Sequence, residues 1–235
     1  MLKRTPFHSR TAALMQADQW RRWAGYTAAS AYEMTHDREY LALRNACVLI
    51  DVSPLCKYQI TGVDALRFLN RLVTRDVGKC PIGGMLYTPW CDSAGKVIDD
   101  GTIAHLSENS YRLTSAEPNL RWLEDNAIGL DVRIEDVSEQ IAALALQGPT
   151  SRQLLMALTD APLADLKYYS FVDTAIGQFV GQLQPPVLAR HMGECDFFEA
   201  RQPLLHFRQK TRHLFGLDGI PPVQLAHHEF RVEIA

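Results

Sequence analysis

The stretch Gly84-Met-Leu-Tyr-Thr-Pro-Trp-Cys-Asp-Ser-Ala-Gly-Lys-Val-Ile-Asp-Asp-Gly-Thr-Ile103 decides how the rest of the chain is read. Met85, Tyr87 and Pro89 alternate with Leu86 and Thr88, the period of two that suits a half-buried strand. Asp92-Ser93-Ala94-Gly95 is turn chemistry, because Asp bonds nearby backbone and Gly accepts positive φ. Val97 and Ile98 resume the apolar pattern, and Asp99-Asp100 then interrupt it. Strands disfavour Asp, and successive strand side chains point to opposite faces. One carboxylate of the pair therefore points inward, where it needs partners, a shifted pKa or a chemical role. The alternative on pattern alone is a hairpin whose acids simply face water.

The totals bound the remainder. At 235 residues the chain holds one large or two small domains with a real core. Apolar content of 47% and charged content of 22% are those of an ordinary soluble globular protein. A net charge of -3 and a pI near 6.2 give no electrostatic case for nucleic acid or an anionic membrane. No apolar run approaches the ~20 residues of a membrane span. Lys3 and Arg4 are followed by Pro6, His8, Ser9 and Arg10, where a signal peptide needs an apolar stretch. Cys47, Cys56, Cys80, Cys91 and Cys195 are odd in number and lack Cys-x-x-Cys spacing. Free thiols in a reducing compartment are the expectation, and a cysteine zinc site is not. The chain reads as cytoplasmic, with no nucleic-acid or membrane partner.

Along the chain, residues 1 to 35 read as irregular, with Trp20, Trp23, Tyr26 and Tyr32 crowded around Gly25. Such a stretch either lines a pocket for a flat ligand or packs into the core. The periodicity then predicts a helix over 36–47, a strand over 48–53, a strand over 57–62 and a helix over 64–74. After the hairpin come a strand over 110–114, a helix over 119–127, alternation over 131–135 and an apolar strand over 141–146. Gln147-Gly148-Pro149-Thr150-Ser151 turns into a helix carrying Leu154, Leu155 and Leu158, and 168–171 reads as an aromatic strand. Strands and helices without regular β-α-β alternation predict an α+β fold with antiparallel sheets. Past Gly177 the pattern weakens; 206–213 is basic with helical character, and Pro185-Pro186 and Pro221-Pro222 break regular structure.

Other chemistry is sparse. Asp51, in a short apolar strand, is either a second active carboxylate or a cap on the turn at Ser53-Pro54. The eight histidines include no His-x-x-x-His on a helix, and adjacent His227-His228 point apart in most backbones, so no metal site is expected. Gly177-Gln-Phe-Val-Gly181 lacks nucleotide-loop spacing, and no Ser or Cys sits in a Gly-x-Ser-x-Gly elbow.

The segment from Gly84 to Gly101 resembles the signature hairpin of the aminomethyltransferase family, the glycine-cleavage T-protein and its relatives: a Tyr on the first strand, a Gly-containing turn and an Asp-Asp pair on the second. Thr5-Pro6-Phe7-His8, Trp23-Ala24-Gly25-Tyr26, Leu43-Arg44-Asn45-Ala46 and Ile50-Asp51-Val52-Ser53 resemble further family segments in the same order. Thr74-Arg75-Asp76-Val77, Ala145-Leu146-Gln147-Gly148-Pro149 and Tyr168-Tyr169-Ser170-Phe171 extend the likeness to about residue 180. The Trp-Arg-Arg-Trp-Ala-Gly-Tyr and Tyr-Thr-Pro-Trp-Cys-Asp versions look closer to the demethylase-like branches.

The resemblance implies a tetrahydrofolate-dependent one-carbon transferase built as a cloverleaf of α+β and β domains. Its first domain would hold residues 1–50 with 135–235, and its second 51–134. Asp100 would be the catalytic carboxylate beside the folate amine, with Tyr87, Ser115, Tyr169, Glu199 and Arg231 as cofactor contacts. Ser115 stands where the glycine-cleavage enzymes have Asn, which argues for a different small-molecule methyl or methylene donor. The departures lie late in the chain. Arg190-His-Met-Gly-Glu-Cys-Asp-Phe-Phe-Glu199 matches the family's Arg-Thr-Gly-Tyr-Thr-Gly-Glu segment only with a shift, Phe230-Arg231-Val232-Glu233 only loosely resembles its Arg-Leu-Glu-Ala, and its third domain is missing. Three readings are open: a shortened folate enzyme completed by another subunit or a second copy, a non-catalytic folate-binding or scaffold protein, and a chain altered after Gly177.

Overall fold

The computed structural model describes residues 1–176, 179–184 and 195–200. The chain forms two compact units, 1–54 with 140–168 and 172 onward, and 55–139 with 169–171. The first opens with helix α1 (His8–Leu14) and a hairpin of strands β1 (Gln19–Trp23) and β2 (Tyr26–Ala31). The expectation of irregular structure up to residue 35 is therefore corrected. Trp23 pairs with Tyr26, and Ala24 and Gly25 between them take φ of 43° and 85°. Two left-handed residues are what a two-residue hairpin loop requires, and Ala-Gly lacks the Asn or Asp that usually signals one. Helix α2 (Asp37–Asn45) carries Asp37 and Glu39 in its first turn and Arg44 in its last, which complements its dipole, and strand β3 (Val48–Asp51) follows.

The second unit contains β4 (Cys56–Thr61), α3 (Ala65–Leu72), β5 (Met85–Cys91), β6 (Val97–Ser107), β7 (Ser110–Ser115), α4 (Leu120–Ala127) and β8 (Arg133–Asp136). Its antiparallel sheet has the order β5-β6-β7-β4-β8. Leu86, Ile103, Leu113 and Tyr58 stand opposite one another in a row across four strands, and all are buried. Helix α3 buries Ala65, Phe68, Leu69 and Leu72, the i, i+3, i+4, i+7 stripe of an amphipathic helix. That row fixes the facing of β6. Counting back in twos from Ile103, Gly101 and Asp99 share the apolar face, while Asp100 and Thr102 take the other. Gly101 is required there, since a Cβ would lie 2.0 Å from the Thr114 carbonyl oxygen.

The chain then returns to the first unit through β9 (Ala142–Gln147), α5 (Ser151–Leu158), β10 (Val172–Ile176), β11 (Phe179–Gln184) and β12 (Cys195–Ala200). These strands form an antiparallel sheet in the order β10-β11-β12-β9-β3. Leu146, Leu155 and Leu163 make a small core with Leu49, Leu154, Leu166 and Val172 around them. The arrangement is α+β with antiparallel sheets. One predicted strand is corrected: 168–171 is not a strand, because Tyr169 takes a left-handed φ of 55° and Ser170 makes only an isolated bridge to Gly84. Aromatic β-propensity is overridden there by a local kink, and strand geometry begins at Val172. Arg190, the basic segment 206–213, Pro221-Pro222, His227-His228 and Arg231 lie outside the described residues. No helix among the described residues is long and apolar enough to cross a membrane.

Candidate functional site

The turn between β5 and β6 is built by Asp92, whose Oδ1 accepts the Ala94 and Lys96 amides at 2.9 Å each, with Gly95 at φ 77°. This fixes the register that sends the two acids of Asp99-Asp100 to opposite faces. Asp99 is fully engaged. Its Oδ1 accepts the Asp100 amide at 2.8 Å, and its Oδ2 accepts Asn119 Nδ2 at 2.7 Å and the Glu117 amide at 3.2 Å.

Asp100 is exposed on the other face. Its Oδ2 accepts the hydroxyl of Tyr87, two residues along the neighbouring strand from its partner Pro89, at 2.5 Å. Its Oδ1 has no hydrogen-bond partner among the described residues. The phenol of Tyr87 is pushed above its ordinary value first by that bond to Asp100, then by burial and the Asp100 charge, with smaller effects of Tyr169 and Asp99. Tyr87 therefore remains a donor across the physiological range.

Backbone contacts brace the edge strand that carries Tyr87. Thr74 N and Oγ1 both donate to the Pro89 carbonyl at 3.2 Å, and Arg75 Nη1 donates to the Tyr87 carbonyl at 3.2 Å. On the same unit, the Met85 amide donates to the Tyr169 carbonyl at 2.7 Å, and the Phe171 amide to the Gly83 carbonyl at 3.0 Å. Tyr169 is thus tied beside the start of β5 in a left-handed conformation that non-glycine residues rarely adopt.

The structure brings together Asp100, Tyr87 and the Tyr169 backbone, and sets other expected residues apart. Ser115 is buried, stands opposite Gly101 on the apolar face, and donates its Oγ to the Glu117 carbonyl at 2.9 Å. Glu199 has its backbone in β12 opposite Ala143 and Gln182, and its side chain lies outside the described part, as does all of Arg231. Asp51 Oδ1 accepts the Ser53 amide at 3.0 Å, the turn bond weighed against an active role.

The aromatic stretch of the first unit divides between core and cavity. Tyr26 is core, whereas Trp20, Trp23 and Tyr32 line a cavity of about 380 Å³ with His8, Glu39 and Asp51. His8 lies 4.9 Å from the Trp20 ring, and its pKa is lowered by burial and by Arg4, against an opposing effect of Asp51. Among the described residues no group of three or more His, Cys, Asp or Glu could hold a metal. Two features escaped the sequence reading. Asn119 is the buried amide that holds Asp99, visible only once the loop after β7 folds under β6. Lys57 and Arg112 are buried cations on the Asp100 face of the sheet, signalled only as charges inside alternating strands.

Residues 5–183 match the family model of the GCVT N-terminal domain. The chain is 42% identical over 139 residues to an aminomethyltransferase of Halalkalibacterium halodurans, covering 57% of this chain and 38% of that one. It is 36% identical over 185 residues to the Bacillus subtilis aminomethyltransferase, covering 74% and 48%. It is 31% identical over 235 residues to that of Desulfitobacterium hafniense strain DCB-2, covering 95% and 61%. The chain thus spans roughly half the length of the relatives it matches. Its fold is that of the glycine cleavage system aminomethyltransferase T from Bartonella henselae, with a TM-score of 0.72 at 21% identity over 86% of this chain and 54% of that one. A chain of the heterotetrameric sarcosine oxidase from Corynebacterium sp. U-96 aligns over 100% of both chains, with a TM-score of 0.53 at 16% identity.

Proposed function

Because the chain belongs to the aminomethyltransferase family through its GCVT N-terminal domain, we propose that it serves tetrahydrofolate-dependent one-carbon transfer, receiving a methyl or methylene unit from a small-molecule donor. The observation that carries this reading is the Asp100 carboxylate, exposed and held through Oδ2 by Tyr87 while Oδ1 has no partner among the described residues. The residues fit the group, since a carboxylate accepts an amine N–H and two tyrosine rings suit a flat heterocycle. When bound, tetrahydrofolate supplies the amine nitrogen that takes the one-carbon unit.

The chain's own groups do the rest. Asp100 accepts an N–H of that amine through Oδ1, which orients the nitrogen, and its charge stabilises positive charge developing there or receives the released proton. Tyr87 keeps its proton and donates to the other oxygen, which fixes how the carboxylate is turned. Tyr169 is assigned to the same pocket, Glu199 and Arg231 are assigned as further folate contacts on the resemblance alone, and Ser115 acts only through the loop it fixes. We place the protein in the cytoplasm, in keeping with the free thiols of Cys47, Cys56, Cys80 and Cys91.

A partner subunit or a second copy of the chain is proposed to contribute to the site. A second reading, a folate-binding or scaffold subunit without turnover, is favoured by the end-to-end alignment with one chain of a heterotetramer. Calorimetric titration of tetrahydrofolate tests the first premise: saturable binding is expected, and none at millimolar ligand would remove the enzymatic reading and leave only a scaffold. Turnover by a monomer would refute completion by a partner, and binding without turnover of any methylated donor would leave the scaffold reading.

A further inference from the structure

We propose that Asp99, clamped by Asn119, is a positioning residue for Asp100, so that one carboxylate of the pair meets the ligand and the other sets its place. The proposal rests on the role of Asp100 given above. The reason begins with the sheet ladder. Pro89 stands opposite Asp100 on β5; it has no N–H, and its carbonyl is taken by Thr74. On the other side β7 ends at Ser115, opposite Gly101, so no strand residue faces Asp100 there. With β5 still pairing Asp99 with Trp90 and Asp100 with Pro89, what the Asp100 amide lacks is a backbone acceptor on the side where β7 has ended.

Asp99 supplies the missing acceptor through Oδ1, at 2.8 Å. Its Oδ2 is held in turn by Asn119 Nδ2 at 2.7 Å and by the Glu117 amide at 3.2 Å. Asn119 is itself fixed, its amide donating to the Tyr58 hydroxyl at 2.7 Å and its Nδ2 also donating to the Glu117 carbonyl at 2.9 Å, which Ser115 Oγ reaches too. Tyr58 is fully buried in the cross-strand row of the core. A continuous set of hydrogen bonds therefore runs from the core phenol, through the loop after β7 and Asp99, to the atom next to the Asp100 Cα. Tyr87 then holds the far end of the Asp100 side chain. Asp100 is pinned at both ends, the preorganisation that a ligand-binding carboxylate needs.

Asn119→Ala tests this, because it removes the clamp and keeps both carboxylate charges. Two quantities are read: the titration of the Tyr87 phenol, by NMR of ¹³Cζ-labelled tyrosine with Tyr87→Phe for assignment, and the affinity for tetrahydrofolate. A loosened Asp100 weakens the bond that most raises Tyr87, so the phenol should titrate at lower pH, and affinity should fall about tenfold. A variant that only loses thermal stability, with titration and affinity as in the wild type, would overturn the proposal. Should Asn119→Ala fail to fold, Asp99→Asn gives the test through the affinity alone, since it sets an amide against Asn119 Nδ2 while its lost charge lowers Tyr87 directly; an unchanged affinity there would also overturn it. A lowered Tyr87 titration in a protein that never binds tetrahydrofolate would sink the folate reading and keep the positioning role. Wild-type binding that is lost in Asp100→Asn but intact in Asn119→Ala, with Tyr87 unmoved, would do the reverse.

Discussion

The hydroxyl of Tyr87 on β5 donates to Oδ2 of Asp100 on β6 at 2.5 Å, across two antiparallel strands and on the face away from the core. Replacing Tyr87 by Phe deletes one hydrogen bond and leaves the ring. Because Tyr87 is 41% exposed, the expected loss of stability is under about 1 kcal/mol. The affinity for tetrahydrofolate should drop several-fold, to about tenfold, since the carboxylate loses its fixed rotamer. Thermal unfolding beside calorimetric titration measures both, and an unchanged affinity would remove Tyr87 from the site.

The same bond gives an alkaline signature. The folded state holds the Tyr87 proton more tightly than the unfolded chain, whose phenol titrates near 10. The stabilisation is complete below that value and is lost as pH rises through the higher folded one. Wild-type unfolding free energy should therefore fall more steeply than that of Tyr87→Phe above about pH 10. Tyr58 and Tyr111, both raised by burial, contribute equally to the two proteins and cancel in the difference. Parallel curves would contradict the assignment of the bond.

An acid signature belongs to the first unit. The pKa of His8 is lowered chiefly by burial, so the folded chain prefers the neutral ring. The stabilisation is present above the unfolded value of 6.5 and is lost as pH falls through the lower folded one. Denaturant unfolding at a series of pH values should show this loss in the wild type, and His8→Phe should lack that part of it.

Gly101→Ala is expected to be severe for a glycine in a strand. The added Cβ would meet the Thr114 carbonyl oxygen at 2.0 Å, and neither atom sits on a flexible side chain. Overpacking of this kind costs about 1–3 kcal/mol. The β6–β7 spacing would also open next to Asp100, so folate affinity should fall with the melting temperature. A variant as stable as the wild type would mean that β7 yields freely at Thr114.

How much of this was legible in the sequence follows from the kind of signal each feature leaves. Helix α3 announced itself through Leu66, Leu69 and Leu72-Val73, and the β5–β6 hairpin through Asp92 and Gly95, because periodicity and turn chemistry are local. The opposite facing of Asp99 and Asp100 was legible as a rule, but which acid turned inward depended on the row through Leu86, Ile103, Leu113 and Tyr58. The β1–β2 hairpin was hidden because Ala24 and Gly25 make its turn without the usual Asn or Asp. The kink at Tyr169 was hidden because nothing in Tyr-Tyr-Ser-Phe says that the second tyrosine turns left-handed. The hold of Asn119 on Asp99 spans twenty residues of sequence, so only the folded loop brings the two together.

The central claim is that Asp100 is the carboxylate that receives tetrahydrofolate. Its most direct test is calorimetric titration of tetrahydrofolate into the wild type and Asp100→Asn side by side, with circular dichroism to confirm equal folding. Saturable binding by the wild type and a loss of about tenfold or more in the variant is the result predicted. Equal affinity in the two folded proteins would contradict it.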